Sequence, residues 1–228
     1  MNLINQEYIE NLINSLAYYP ESPTMKKMRE KAKKEGIPVL RPAAAAMVNV
    51  LVAIIKPLNA LEIGTSIGYS SLVILNSMPG EGHLYTVEND EERFNEAAEN
   101  FRQEGVYDRI KMLLGDASDI LHHMEGQFDF IFLDGPKAQY INYLPDCIRL
   151  LTPGGLLVCD DVLFYGMVAS RELINTRKIT IVKRMRRFLK VVAKHPELDT
   201  AIIPLGDGMS VSIKKAHALM NHDNEQRS

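Results

Sequence analysis

Five short, predominantly apolar runs, each separated from the next by a helix-like stretch, constrain the fold of this 228-residue chain more than any other feature. The runs are Ala60–Ile63, Leu84–Val87, Ile110–Leu114, Phe128–Leu133 and Leu156–Cys159, with helical patterns near residues 70–77, 91–104, 117–124 and 140–150. A strand with one wet face alternates apolar and polar residues. These runs do not, so both faces of each strand must be covered. Strand–helix–strand alternation of this kind builds a parallel sheet with helices on both sides, an α/β fold. The end of the chain differs. Thr200–Leu205 and Met209–Lys214 flank Gly206-Asp207-Gly208, and Asp-Gly between two β-type runs signals a hairpin. The expectation is a seven-stranded, mostly parallel sheet that finishes with an antiparallel C-terminal hairpin strand.

The first 57 residues read instead as extra N-terminal helices. Ser22-Pro23 supplies an N-cap followed by proline at the first helical position, and Gly36 closes that helix. Arg41-Pro42 opens an apolar helix through Ala43–Ile55, which Pro57 stops. A helical extension over 1–57, a core over 58–215 and a disordered tail over 216–228 make one domain, because the connections are short and no repeat interrupts them. With 46% hydrophobic and 24% charged residues, the composition supports a sizeable core in a water-soluble chain. No stretch reaches the ~18 apolar residues of a membrane span. The start, MNLINQEYIE, lacks the basic patch and apolar run of a signal peptide. Cys147 and Cys159 fall in segments expected to be buried, without metal-type spacing, which fits reduced thiols and a cytoplasmic location.

Chemistry-bearing residues gather where strands end. Leu61-Glu62-Ile63-Gly64-Thr65-Ser66-Ile67-Gly68-Tyr69-Ser70 leaves the first strand and enters a helix. Gly64 and Gly68 carry no Cβ and let the backbone approach a ligand. Their spacing is G-x-x-x-G, not the G-x-G-x-x-G that cradles a pyrophosphate. Glu88 ends the second strand, where a carboxylate can accept two hydrogen bonds from a ribose diol. Asp116, in Gly115-Asp116-Ala117 after the third strand, can receive an adenine amino group, with Ala117 leaving room beside the ring. Singly, Glu88 and Asp116 read equally well as helix caps. Their recurrence at successive strand ends favours ligand binding.

The fourth strand ends in Leu133-Asp134-Gly135-Pro136-Lys137, and the fifth in Cys159-Asp160-Asp161. Neighbouring parallel strands end side by side, so three carboxylates meet at one rim. A hard divalent cation such as Mg²⁺ relieves their repulsion. The alternative has one or two of the acids capping helices and the rest in solvent. Lys137 is placed to act as a general base toward a hydroxyl, its pKa lowered by neighbouring positive charge, or to pair with the same carboxylates.

Together LEIGTSIGYSS, YTVE, GDA, FLDGPK and DDVLFYG, spread over residues 61–167, resemble the cation-dependent O-methyltransferases that include catechol O-methyltransferase and the plant caffeoyl-CoA enzymes. The resemblance implies a Rossmann-like class I methyltransferase fold, S-adenosylmethionine as methyl donor, and Mg²⁺ or another divalent cation. It implies cofactor contacts from Glu62, Gly64, Ser70, Glu88, Asp116, Ala117 and Asp134. Asp134, Asp160 and Asp161 become metal ligands and Lys137 the base. One position departs: Asp161 stands where the family usually has asparagine, and an extra anionic ligand should tighten the cation and damp its Lewis acidity. A nearer resemblance, over almost the whole chain, is to the bacterial tRNA 5-hydroxyuridine methyltransferases. It rests on Ile37-Pro38-Val39-Leu40, LEIGTSIGYSS, DVLFYGMVA, a basic stretch and the closing HPELDTAIIPLGDGMSVSIKK. It adds Leu40 to the cofactor contacts and implies methylation of 5-hydroxyuridine at the tRNA wobble position (34) to 5-methoxyuridine. The anticodon loop is then the partner. Relatives of this kind are commonly homodimers, for which the apolar N-terminal helices offer a contact. In 5-hydroxyuracil the 5-hydroxyl lies beside the O4 carbonyl, much as a catechol presents two hydroxyls. Either pair can chelate one cation and fix the hydroxyl in line with the S–CH₃ bond.

From Thr176 to Lys194 there are eight basic residues and no acid, in a chain whose net charge is −3. Lys183, Arg184, Arg186, Arg187 and Lys190 are the candidates for RNA contact. An amphipathic helix with a solvated basic face and Met185, Leu189 and Val192 buried explains the composition equally well. The basic run from Lys26 to Lys34 is diluted by acids and reads as a solvated helix. His122 and His123 are adjacent and diverge by about 100° on a helix, a poor metal pair. Phe164 and Tyr165 follow the acids, placed to stack on a flipped base or to pack in the core. The competing functions are a methyltransferase of catechol-like phenols and a non-catalytic RNA-binding protein that keeps the cofactor as a structural ligand. A nicotinamide dehydrogenase is disfavoured by the missing third glycine and the terminal hairpin.

Overall fold

A computed structural model of the chain describes residues 4–174 and 176–216. Three helices come first: α1 (Glu7–Leu16), α2 (Pro23–Glu35) and α3 (Pro42–Ile55). As the sequence implies, the Ser22 hydroxyl caps α2 by accepting from the Met25 N–H at 3.1 Å, and Gly36 leaves the helix in a left-handed conformation, φ 70°. The Rossmann-like core then alternates β1 (Asn59–Ile63), α4 (Tyr69–Ser77), β2 (His83–Glu88), α5 (Glu91–Gln103), β3 (Ile110–Leu114), α6 (Ala117–His123), β4 (Phe128–Leu133), α7 (Tyr140–Leu150), β5 (Leu151–Cys159), α8 (Ile179–Val192), β6 (Leu198–Ile203) and β7 (Met209–Lys214).

The seven strands form one sheet in the order β3-β2-β1-β4-β5-β7-β6. β1 to β5 are parallel, and β7 runs antiparallel to both β5 and β6. The chain steps outward from β1 to β3 and then returns to the other side of β1 at β4. Loops on the two sides therefore diverge at the β1/β4 boundary and leave a crevice at the strands' carboxyl ends. Period-two geometry divides the core between the two faces. Phe130 and Phe132 of β4 pack with residues of α2 to α5, whereas Ile131 and Leu133 pack with residues of α6, α7 and α8.

Several strand boundaries differ from the sequence pattern, two of them for a clear physical reason. β5 begins five residues before Leu156, running through Pro153-Gly154-Gly155, and a register shift opposite Phe128 and Phe130 absorbs the irregularity. β6 ends at Ile203 rather than Leu205, because Pro204 has no N–H for the ladder. Cys147 and Cys159 are buried free thiols. α1 packs beside α3 but buries none of its own residues, and leaves Tyr8, Leu12 and Leu16 exposed. No helix among the described residues is long and apolar enough to cross a membrane. The tail expected to be disordered falls, after Ala216, outside the described residues.

Candidate active site

A cavity of ≈ 840 Å³ opens at the carboxyl ends of the strands, a size suited to a nucleoside-sized ligand with a second small molecule beside it. Of the residues predicted to bind cofactor, Leu40, Gly64, Ser70, Glu88, Asp116, Ala117 and Asp134 all line it. Gly64 is obligatory: it sits at φ 102°, and a Cβ there would lie 2.6 Å from the Asp134 carbonyl oxygen. Glu88 is not a helix cap, since Asp90 caps α5 by accepting from the Arg93 N–H. Its carboxylate is aimed by the main chain instead, accepting from the N–H groups of Ser66 at 2.7 Å, Asn89 at 2.9 Å and Asp90 at 3.0 Å. Asp116 has both roles. It caps α6 by accepting from the Ser118 N–H at 2.7 Å while it lines the cavity.

Glu62 departs from expectation. It is fully buried behind the cavity wall rather than on its surface, accepting from the hydroxyls of Ser71 and Thr86. Its position on β1, between β2 and β4, turns its side chain toward Thr86 of β2 and Ser71 of α4.

Asp134, Asp160, Asp161 and Lys137 all line the other half of the cavity. Lys137 Nζ stands 2.5 Å from Asp134 Oδ1, 3.1 Å from Asp161 Oδ2 and 3.1 Å from the Tyr140 hydroxyl. Tyr140 is buried, its hydroxyl 2.9 Å from the Leu133 carbonyl and 3.1 Å from that of Asp160, so it clamps the ends of β4 and β5 together. Burial raises the Asp160 pKa well above the carboxylate range, and the charges of Asp134 and Asp161 push it further. Asp134 is raised by burial, with Lys137 pulling it down and Asp161 pushing it up. These three acids therefore feel one another. The protein's own groups around Lys137 act in the opposite sense to a cation: burial draws its pKa down, but Tyr140, Asp134 and Asp161 outweigh burial and hold the ammonium well above its ordinary value. Its place between two of the acids is the ion pair weighed as the alternative. Accordingly, among the described residues no three His, Cys, Asp or Glu side chains stand together as a ready ligand set. The donor chemistry, carboxylate oxygens repelling one another with Asp160 buried among them, still fits a hard divalent cation.

The loop after β5 is held in a costly shape. Asp161, Phe164 and Tyr165 have φ of 57°, 45° and 55°, and Ser66 across the cavity has 49°. Such conformations cost roughly 1–3 kcal/mol each and persist only where the surroundings impose them. Here the β6–β7 turn does so: Val162 N–H donates to the Gly208 carbonyl at 2.9 Å and Leu163 N–H to that of Asp207 at 2.8 Å. From the other side Arg186 donates to the carbonyls of Val168 at 2.8 Å and Met167 at 3.1 Å. Arg186 is thus corrected from RNA contact to loop brace, because its half-buried guanidinium is spent on these carbonyls. Arg184 donates to the Ala138 carbonyl at 3.3 Å but stays exposed, as do Lys183, Arg187 and Lys190. Val182, Met185, Phe188, Leu189 and Val192 form the buried face of α8. Phe164 is buried and Tyr165 half exposed, both lining the cavity, with Lys178 Nζ 5.7 Å from the Phe164 ring. Arg41, Tyr69, Tyr143 and Asp207 line the cavity too. The sequence marks them only as a helix start, a helix residue, an apolar-face residue and a turn residue, respectively.

A sheet in this strand order, with β7 reversed and a nucleoside-sized crevice at the carboxyl ends, defines the class I methyltransferase architecture. Within that class the chain belongs to the O-methyltransferase family, whose sequence pattern matches residues 14–215. It is 30% identical over 223 residues to the caffeoyl-CoA O-methyltransferase of Petroselinum crispum, covering 92% of each chain. It is 29% identical over 222 residues to that of Eucalyptus gunnii, covering 92% of this chain and 88% of the relative. Among solved structures, the O-methyltransferase from Bacillus cereus in complex with SAH is similar with a TM-score of 0.79 and 25% identity, over 91% of this chain and 97% of that one.

Burial of Glu62 generates a pH prediction. Desolvation lifts its pKa from 4.5 to about 7, against the opposing pull of the Ser70, Ser71 and Thr86 hydroxyls. The folded chain then binds a proton that the unfolded chain has lost between those values. Glu62 thus contributes its full stability below pH 4.5, and that contribution is lost as pH rises toward about 7. Denaturant melts from pH 4.5 to about 8 should show wild type losing about 3 kcal/mol relative to Glu62→Gln over this window. Parallel curves for the two proteins would mean that Glu62 stays ionised.

Proposed function

We propose that this O-methyltransferase uses S-adenosylmethionine and a divalent cation to methylate the 5-hydroxyl of wobble 5-hydroxyuridine in tRNA. The RNA part is carried by one observation: the exposed basic face of α8 borders the catalytic half of the cavity. Arg184 reaches the Ala138 carbonyl beside Lys137, Lys178 lies over the cavity-lining Phe164, and Lys183, Arg187 and Lys190 extend the positive face outward. A single-stranded loop whose base enters the cavity would lay its phosphates along that face.

Glu88, Asp116 and the turn at Gly64 would bind the nucleoside part of the methyl donor, and Asp134, Asp160 and Asp161 would hold the cation. When bound, the donor supplies a methyl group on sulfur and the cation supplies charge that acidifies a neighbouring hydroxyl. With Asp134 and Asp161 engaged by the cation, Lys137 would lose the charges that hold its pKa up, give a proton to solvent, and as a neutral amine take the proton of the hydroxyl. Tyr140 fixes that nitrogen in place through the 3.1 Å contact. Phe164 shields the site from water, and Tyr165 offers a half-exposed ring against which a base can stack.

Catechol-like phenols are the second reading, favoured by relatives named for caffeoyl-CoA. Labelled S-adenosylmethionine, Mg²⁺ and either hydroxyuridine-containing tRNA or catechol separate the two. Label should enter tRNA, vanish on chelation, and fall by at least ~10²-fold in Lys137→Ala, while that variant still binds S-adenosylhomocysteine. Methyl transfer confined to catechol ends the RNA assignment.

Substituting Lys183→Glu, Arg187→Glu and Lys190→Glu together should weaken tRNA binding and reduce its logarithmic salt dependence by roughly 2, as for three phosphate contacts to a single strand. Catechol turnover should hold. Unchanged tRNA affinity would return α8 to the role of a solvated helix.

The proposal extends to a homodimer formed through the N-terminal helices. Tyr8, Leu12 and Leu16, four residues apart on α1, are 71%, 57% and 73% exposed, and Val50 and Ile54 of the adjacent α3 are exposed as well. Light scattering should give twice the chain mass for wild type and a single chain mass for Leu12→Glu with Leu16→Glu. A monomeric wild type rejects the pairing.

A further inference from the structure

The turn between β6 and β7 brings to the cavity a carboxylate that methyl transfer does not use. Asp207 is 6% exposed and lines the cavity, and its buried Oδ1 has no hydrogen-bond partner among the described residues. Arg41 Nη2, on the same cavity, stands 4.0 Å from it, beyond hydrogen-bond reach. A buried acceptor without a donor is costly, so a carboxylate kept in this condition invites a ligand that supplies one. Nor can the turn swing it away. The Asp207 carbonyl receives the Leu163 N–H and the Gly208 carbonyl that of Val162. Gly208, at φ 88°, packs so closely that a Cβ would lie 2.4 Å from Leu163 Cγ. Asp207 is therefore fixed against the loop that begins with Asp161.

We propose that Asp207 and Arg41 determine specificity by reading the imide edge of the substrate ring: Asp207 accepts the N3–H and Arg41 donates to the O2 carbonyl. This assignment rests on the hydroxyuridine substrate proposed above and names how that site recognises it. Passing around the pyrimidine from C5, the groups are hydroxyl, O4 carbonyl, N3–H and O2 carbonyl. Passing around the cavity from the acids of β5, the groups are Asp160 and Asp161, then Asp207 beside their loop, then Arg41 beyond it. The orders agree. The acids face, through their cation, the two chelating oxygens; the lone acceptor faces the lone donor; the guanidinium faces the remaining carbonyl. Arg41 also pairs with Glu10, but its five N–H donors allow both contacts. A catechol has no ring N–H and gains nothing from Asp207. A 5-hydroxycytosine would oppose a bare N3 lone pair to the carboxylate and be rejected.

The test uses an anticodon stem-loop RNA carrying 5-hydroxyuridine or its N3-methyl derivative, with S-adenosylhomocysteine and Mg²⁺ present for binding and S-adenosylmethionine for turnover. Wild type should prefer the N3–H form at least tenfold in both Kd and kcat/KM. Asp207→Ala makes room for the methyl group and should reduce that preference below about twofold, with affinity for S-adenosylhomocysteine unchanged. Equal handling of both RNAs by wild type overturns the assignment while the hydroxyuridine proposal stands, and needs no variant to fold. A preference that survives in Asp207→Ala, or a parallel loss of S-adenosylhomocysteine binding, overturns it as well. Methylation of catechol with neither RNA methylated overturns both proposals.

Discussion

Three carboxylates at the ends of two adjacent strands repel one another, and much of the surrounding structure is organised to hold them there. Burial raises both Asp134 and Asp160, Asp161 pushes Asp134 further, and Asp134 and Asp161 push Asp160 further, so each is tolerable only beside positive charge. Lys137 provides it at 2.5 Å from Asp134 and 3.1 Å from Asp161. Tyr140 then ties the lysine to the two strand ends through their carbonyls. Acid, lysine and tyrosine lie within seven residues on the turn from β4 into α7, so a single local segment carries both the charge and its compensation.

The second half of the arrangement is long-range. Asp161 reaches the rim with a left-handed backbone that its own loop would not choose, and the loop is pinned from both sides. On one side stands the β6–β7 turn, which exists only because the last strand enters the sheet antiparallel to β5. On the other stands Arg186 of α8. A sheet with all strands parallel would offer no hairpin turn at that place. The reversed strand is thus part of the site's construction as well as a mark of its class.

This division explains what the sequence shows and what it hides. Gly64, Glu88, Asp116, Asp134, Asp160 and Asp161 were all legible, because the carboxyl end of a parallel strand is a predictable place and each residue ends one or lies within two residues of its end. The β5 boundary was hidden by Pro153 and two glycines, which read as a loop but are accommodated by a register shift. Glu62 fell in a recognisable motif, yet its strand turned it behind the cavity. Arg186 looked like its basic neighbours, and only the packing of α8 against the 160–170 loop separates it from them. Asp207 gave a clear signal for a turn and none for a site, since its relation to Asp161 spans 46 residues and arises only when β7 pairs with β5. Residues whose roles follow from strand ends are readable; those whose roles follow from pairing between distant segments are not.

α8 joins the two scales. Its apolar face completes the core beside α7, Arg186 braces the loop that carries Asp161, and its outer face remains basic. A helix that only needed solubility could distribute acids among its bases, and this one has none between Ile179 and Val192. The same rigid element therefore sets the geometry of the acids and the charge of the surface beside them. Whatever binds along the basic face is held in register with Lys137 through the Arg184–Ala138 contact. For a polyanion with one reactive base, that coupling would convert non-specific attraction into placement: the phosphates would bind a surface whose distance from the Lys137 nitrogen is fixed by helix packing. For a small neutral phenol the coupling would have no use, and the concentration of charge on α8 would be a cost to stability without a return.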